Sequence, residues 1–133
     1  NAQGRTTTKV SIPTASVLTL NTIPIEAIPS PGIGYAIVVE KVIGYIAYVA
    51  PVYATNVNLQ LFYETAGDAI VESSLLLVKT TTAYQELPFL YTIAAGTVQI
   101  VENEAVSIRV ETGDPTLGNS DIAIYITWSL IQV

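Results

Sequence analysis

Two segments near the end of the chain alternate strictly between apolar and other side chains, and this alternation constrains the fold more than any other feature. In residues 122–132, one set of alternate positions holds large apolar side chains: Ile122, Ile124, Ile126, Trp128 and Leu130. Residues 105–111 show the same pattern, with apolar side chains on alternate positions at Val106, Ile108 and Val110. Successive side chains of a β-strand point to opposite faces, so a period of two predicts strands with one apolar face. Such strands are typical of a β-sandwich.

The rest of the chain carries the same signal, because Val, Ile, Thr and Tyr are frequent and turn-forming residues separate them at short intervals. The pattern predicts an all-β, antiparallel sandwich of about eight strands, in a single domain over residues 10–133. The polar residues 1–9 show no period and are expected to form an extended N-terminal arm. Residues 69–79 would also fit a short helix, although their Val, Ile and Ser content favours a strand. The expected strands are 17–20, 23–28, 35–41, 42–49, 56–64, 69–78, 98–101, 105–111 and 121–132.

Charged residues are scarce: Asp, Glu, Lys and Arg make up 12% of the chain, against about 25% in an ordinary soluble domain. A small monomer of this composition would expose apolar patches that a partner normally covers, so we expect an obligate homo-oligomer. The 5 basic residues are scattered and the net charge is −6, which argues against nucleic acid as a partner. The longest apolar run, residues 42–54, is shorter than the ~20 residues of a membrane span, so no membrane association is expected.

Few residues in this chain suggest catalytic chemistry. The sequence has no His and no Cys, which excludes Ser-His and Cys-His pairs and leaves no thiolate or imidazole for zinc. Asp114, Asn119 and Asp121 could contribute to a cation site, but their spacing matches no calcium loop, and turn formation is the simpler interpretation. We therefore expect a protein that is not an enzyme, with no catalytic residues, no cofactor and no metal.

Aromatic residues offer a second interpretation, which is stacking against sugar rings. Core and interface packing explains tyrosines within Val- and Ile-rich strands better, because a buried ring can still place its hydroxyl near a partner. Glycan binding therefore stays an alternative. The candidate side chains are Tyr45, Tyr48, Tyr53, Tyr63, Tyr84, Tyr91, Tyr125 and Trp128.

Two predicted strands, 35–39 and 42–49, are apolar on both faces. In an antiparallel sandwich, one face of each sheet normally faces solvent. A sheet that is apolar on both faces therefore needs another surface packed against its outer face. The low charge content favours a neighbouring subunit as that cover. We expect the subunit interface to include Tyr35, Tyr45, Tyr48, Tyr53 and Phe62.

The segment PVYATNVNLQLFYETAG, residues 51–67, combines amides and apolar residues on alternate positions. The alternation predicts a strand whose core face carries Val57, Leu59, Leu61 and Tyr63. Asn56, Asn58 and Gln60 would form its wet face, with the two asparagines satisfying backbone groups at a strand edge. Phe62 lies on the amide side, and we expect it to contact another subunit.

Several stretches in this order resemble small β-rich structural proteins of tailed bacteriophages, among them head decoration (cement) proteins and head-fibre modules. The stretches are VLTLNTIPI (17–25), PGIG (31–34), YATNVNLQL (53–61), Ala66-Gly67, and TGDP (112–115) followed by Gly118-Asn119. The similarity extends from about Val10 to the end of the sequence. It lies in the order of the motifs, and none of them is catalytic.

The resemblance implies a jelly-roll-like sandwich that forms a homotrimer and sits on the capsid surface of a virion. There it would bind the major capsid protein or other virion proteins and stabilise or ornament the phage head. Three alternatives stay open. The first is a carbohydrate-binding module on a phage fibre or a secreted protein, and the second is a pilus-like subunit that assembles by exchanging its N-terminal strand. The third is a small enzyme, which would need a pair of carboxylates in a cleft.

Overall fold

The computed structural model describes residues 4–90 and 100–133. Three predictions fall wholly or partly outside these residues: Tyr91 as a sugar-stacking ring, the first half of the strand at 98–101, and the first three residues of the N-terminal arm. The accessible surface is 6698 Å², close to the roughly 6,800 Å² that area scaling gives for a folded monomer of this mass.

The described residues form two four-stranded antiparallel sheets. The strands are β1 (Thr6–Ile12), β2 (Ile25–Ile28), β3 (Tyr35–Ala47), β4 (Leu59–Tyr63), β5 (Ala69–Ser73), β6 (Ala83–Glu86), β7 (Val106–Val110) and β8 (Asp121–Gln132), with one helical turn α1 (Thr14–Val17) and a 3₁₀ turn at Leu76–Val78. The first sheet has the order β1-β8-β3-β6 and the second the order β2-β7-β4-β5. The prediction of an all-β antiparallel sandwich of about eight strands is confirmed.

The core lies between the two sheets and follows the predicted alternation. In β8, the inward residues Ile122, Ile124 and Ile126 are buried, whereas Trp128 and Leu130 are only partly covered. The facing sheet contributes apolar side chains of β4 and β7. Burying each aliphatic side chain contributes on the order of 1.5–3 kcal/mol, so this interleaved layer supplies most of the force that closes the sandwich. The residues of β4 and β7 in this layer are Leu59, Leu61, Tyr63, Val106, Ile108 and Val110.

A β-bulge changes the phase of the inward-facing positions within residues 35–47. The two strands expected at 35–41 and 42–49 are one 13-residue strand, β3, whose register on β8 shifts between Val39 and Lys41. The extra residue, Glu40, changes the phase of the alternation. Odd-numbered Ile37 and Val39 point inward before it, and even-numbered residues such as Val42 point inward after it.

The structure differs from the sequence-based assignments at four places. Residues 17–20 are not a strand: α1 begins after Pro13, and Val17 and Leu20, three residues apart, are both fully buried. The strand expected at 69–78 ends at Ser73 and is followed by the 3₁₀ turn. Strand β6 was missed because its polar four-residue stretch carries little apolar signal. Of the expected arm, residues 6–9 belong to β1, which pairs with β8 from Thr6 to Ile12.

Tyr53 anchors the long loop between β3 and β4 to the loop that precedes β8. Its ring is buried and its hydroxyl donates a hydrogen bond to the carbonyl oxygen of Ser120. Gly118 lies against that ring, and the three atoms nearest to a Cβ built on Gly118 are all ring carbons of Tyr53. The glycine is therefore required for close approach.

We expect Gly118→Ala to lower the free energy of unfolding by about 3 kcal/mol, because the added methyl overpacks the Tyr53 ring. Urea denaturation at fixed protein concentration measures the change. Gly4→Ala is the matched control, since nothing lies within 4 Å of a Cβ at that position. Equal stability of the two variants would contradict this account of Gly118.

Tyr63 connects the two sheets through a buried hydrogen bond. It belongs to β4, and its hydroxyl donates to the carbonyl oxygen of Ile37 in β3 at 2.7 Å. Burial raises the pKa of Tyr63 to about 12. The neutral phenol is therefore the form that the folded protein stabilises.

We expect Tyr63→Phe to cost about 1–2 kcal/mol of stability at neutral pH, because it removes a buried hydrogen bond. The wild-type contribution is complete below the unfolded pKa of about 10 and is lost as pH rises towards 12. The stability difference between wild type and Tyr63→Phe should therefore shrink over that interval. Tyr84→Phe, on an exposed ring, is the control and should change stability by less than about 0.5 kcal/mol.

Candidate functional site

The outer face of the first sheet carries a row of residues aligned by strand register. Ser11 of β1 is paired with Ala123 of β8, which is paired with Tyr45 of β3, and Tyr45 is paired with Tyr84 of β6. Directly paired residues point to the same face of a sheet. Neighbouring positions such as Ile122 point into the core, so this row faces outward.

Large and small side chains in this region shape a groove of about 410 Å³. Ala47 and Ala123 form its low floor. The ring centroids of Tyr45 and Tyr84 are 4.6 Å apart, and those of Tyr84 and Tyr125 are 6.4 Å apart. We call this surface the tyrosine groove; the residues that line it are Lys9, Ser11, Ile12, Pro13, Tyr45, Ala47, Tyr84, Asp121, Ile122, Ala123 and Tyr125.

Two residues of opposite charge contribute to the groove. The Lys9 ammonium lies 5.6 Å from the centroid of the Tyr125 ring, within the distance of a cation–π contact. Asp121 accepts hydrogen bonds from the backbone N–H and the hydroxyl of Thr14, both at Oδ1. The groove therefore offers aromatic faces, hydroxyls and a balanced pair of charges. Such a lining suits a ligand with both apolar and hydroxyl-rich surfaces.

Seven of the eight aromatic candidates for sugar stacking lie in the described residues, and the structure places them in different environments. It brings Tyr45, Tyr84 and Tyr125 together in the groove, whereas Tyr53 and Tyr63 are buried in the core. Sequence reasoning did not include Lys9, which was assigned to the arm of residues 1–9, or Ser11, which lay outside every expected strand. The alternation of Val10 and Ile12 was the signal that could have placed them in a strand.

The expected interface residues lie in different environments. Tyr35 is exposed at the start of β3, and Tyr45 and Tyr48 are half-buried. Tyr53 and Phe62 are buried within their own chain, so they retain little surface for a neighbour. That these residues form a subunit interface stays a prediction.

The face of β4 that points away from the core is covered by other side chains of the same chain. The expectation that its amide, Gln60, would face solvent was therefore wrong. Gln60 is buried; its Oε1 accepts from Arg109 Nε at 2.8 Å and its Nε2 donates to Glu72 at 2.7 Å. The Arg109 guanidinium also lies 4.1 Å from the centroid of the Phe62 ring, which is 5% exposed. Cation–π contact and hydrogen bonding thus satisfy this face within the chain.

Asn56 and Asn58 lie in the loop before β4 and not in the strand itself. Asn56 Nδ2 donates to the backbone carbonyl of Asp114 at 3.0 Å, as expected for an asparagine that satisfies a backbone group. Asn58 Nδ2 instead donates to a side-chain oxygen of Glu111 at 2.7 Å.

Asp114 acts as a loop acceptor. Its Oδ1 accepts from the backbone N–H groups of Asn21 and Thr22 at 2.9 Å, and its Oδ2 accepts from the Thr22 hydroxyl at 2.6 Å. Nowhere in the described part of the chain do three or more Asp and Glu side chains form a group that could hold a metal ion. The hydrogen bond from the Thr22 hydroxyl, followed by the bond from its backbone N–H, lowers the pKa of Asp114.

We expect Asp114→Asn to destabilise the protein at pH 7, because it weakens the attachment of residues 21–22 to the loop after β7. Since the folded pKa is lowered, the contribution is present above the unfolded pKa of about 3.9 and is lost as pH falls through the folded pKa. Thermal unfolding at stepped pH should show the gap between wild type and Asp114→Asn closing on acidification. Glu26→Gln, on an exposed carboxylate, is the control; a gap between wild type and Asp114→Asn that does not narrow as pH falls would contradict the assignment.

A second surface lies at one end of the sandwich and consists of Ile33, Tyr35 and Val133, which we call the end patch. The backbone N–H of Val133 donates to the carbonyl of Gly34 at 2.8 Å, which brings Val133 beside the turn before β3. Gly32 and Gly34 both have positive φ, 105° and 92°, so this turn depends on glycine. It leaves Ile33 84% exposed.

Comparison of the chain with protein-family models, with curated proteins and with solved structures finds no match. The resemblance to phage virion proteins therefore stays a prediction. Within residues 4–90 and 100–133, no helix is long and apolar enough to cross a membrane.

Proposed function

We propose that the protein is a non-enzymatic structural subunit of a virion, a capsid decoration or head-fibre protein that functions as a homotrimer. The observation that carries the assembly part of the proposal is the end patch. A second copy of the chain is the occupant we assign to it, because the patch is apolar and an oligomer of identical chains would shield it permanently.

The pairing of the strands supports the jelly-roll part of the proposal. β1 pairs with β8, β2 with β7, β3 with β6 and β4 with β5. This nested pattern is the one expected when a long antiparallel hairpin of eight strands rolls up into two sheets, as in jelly rolls of viral capsid proteins. The location on a capsid surface, and the major capsid protein or other virion proteins as partners, rest on the sequence resemblance.

Composition supports self-association independently of the end patch. Only 12% of the residues are charged, and several of the acidic ones already serve as acceptors within the chain, as Asp114 does. Few charges are left to keep apolar surface in solution as a monomer. The alternative of N-terminal strand exchange would require β1 to leave β8 of its own chain and form the same seven-residue ladder on a neighbour.

We expect sedimentation velocity to give a mass three times the 14.2 kDa of the chain. Ile33→Glu should weaken the assembly at least about tenfold, because burying an unpaired carboxylate in an apolar contact is unfavourable. Ile23→Glu is the matched control, since Ile23 is also an exposed isoleucine, at 64%, but lies outside the end patch.

A wild-type monomer at micromolar concentration would refute the oligomer, and equal effects of the two glutamates would refute the assignment of the interface. Negative-stain electron microscopy of the purified assembly tests the wider proposal. Discrete trimers that add to the surface of capsid shells would support it, whereas long filaments would favour strand exchange.

A further inference from the structure

We propose that the tyrosine groove is a binding site for a neutral glycan built of hexopyranose rings. Tyr84 is the first element of this site. It lies on β6 at the edge of the sheet and is 66% exposed, although a large apolar ring is normally covered. The negative π-face of such a ring attracts the weakly positive C–H face of a sugar.

The shape of the groove fits a ring-shaped ligand. Ala47 and Ala123 keep the floor low, and Tyr45, Tyr84 and Tyr125 rise around it. The interplanar angles of 40° and 46° between neighbouring rings give a curved aromatic wall and not a flat stack. The volume of about 410 Å³ lies within the range of small-molecule sites.

The polar groups of the groove favour a neutral hydroxyl-rich ligand over a charged one. Lys9 and Asp121 contribute one positive and one negative charge, so the lining has no net charge with which to select an ion. A ligand cation would also meet the Lys9 ammonium, which already lies near the face of Tyr125. The hydroxyls of Ser11 and of the tyrosines can donate and accept hydrogen bonds with sugar hydroxyls.

This site is separate from the end patch. Tyr35 and Tyr45 are ten residues apart on β3, roughly 30 Å at the rise of a strand. A trimer closed through the end patch can therefore leave the groove open. The proposals of glycan binding and of self-association rest on different surfaces, so an experiment can refute one and leave the other standing.

The test is isothermal titration of the full chain with maltohexaose, cellohexaose and the hexamer of N-acetylglucosamine. We expect at least one of these probes to bind with a Kd below about 5 mM. Tyr84→Ala and Ala47→Phe should each weaken that binding at least about tenfold, the first by removing a stacking face and the second by filling the floor.

Two controls separate the site from its surroundings. Tyr84→Phe keeps the stacking ring and should therefore retain more of the binding than Tyr84→Ala, and Tyr35→Ala, at the end patch, should leave binding unchanged. Circular dichroism and the melting temperature verify that each variant folds.

Three outcomes would overturn the proposal. The first is the absence of binding by all three hexasaccharides at about 10 mM. The second is binding that survives both Tyr84→Ala and Ala47→Phe. The third is dissociation of the oligomer by Tyr84→Ala, which would assign the groove to a contact between copies of this chain.

Discussion

The antiparallel pairing of β3 with β8 is the interaction on which the rest of the structure depends. These two strands are the longest in the described chain and occupy the centre of the first sheet, with β1 and β6 on either side. Their register joins Tyr35 to Gln132 at one end and Ala47 to Asp121 at the other. The inner faces of the pair contribute one side of the core, the outer faces contribute Tyr45, Ala123 and Tyr125 to the tyrosine groove, and Tyr35 belongs to the end patch. A slip by one residue would exchange the inner and outer faces.

Polar side chains that act across loops hold the ends of this sandwich. Glu104 accepts hydrogen bonds from the backbone N–H groups of Thr65 and Ala66, and Glu102 accepts one from Gly34. Asp114 and Asp121 act in the same way on Asn21, Thr22 and Thr14. A chain with few charges thus uses several of its carboxylates to satisfy loop backbone. This arrangement stabilises connections that contribute little apolar area, and it leaves the surface poor in charge, as the assembly proposal requires.

The sequence was informative where one period of alternation continued without interruption. The bounds 121–132 predicted for the last strand agree with β8, and its inward residues Ile122, Ile124 and Ile126 are in the core. The prediction of exposed faces was wrong where a residue distant in the sequence packs over the face. Gln60 was expected to face water because nothing local showed that Arg109, far along the chain, would lie over it. The bulge at Glu40 was equally hidden, because segments that are apolar on both faces show no alternation in which a change of phase could be recognised.

By itself, the sequence determined the class of fold, the inward face of the regular strands and the scarcity of charge that points to assembly. These properties follow from the local order of side chains and from composition, and they do not depend on which residues pack against a strand from elsewhere in the fold. Only the tertiary structure decided which tyrosines meet. Tyr45, Tyr84 and Tyr125 share one groove, and Tyr53 is buried, although all four are tyrosines in β-rich surroundings. The physical reason is that a surface site on a sheet is set by the register between strands, and here that register links residues that are far apart in the chain.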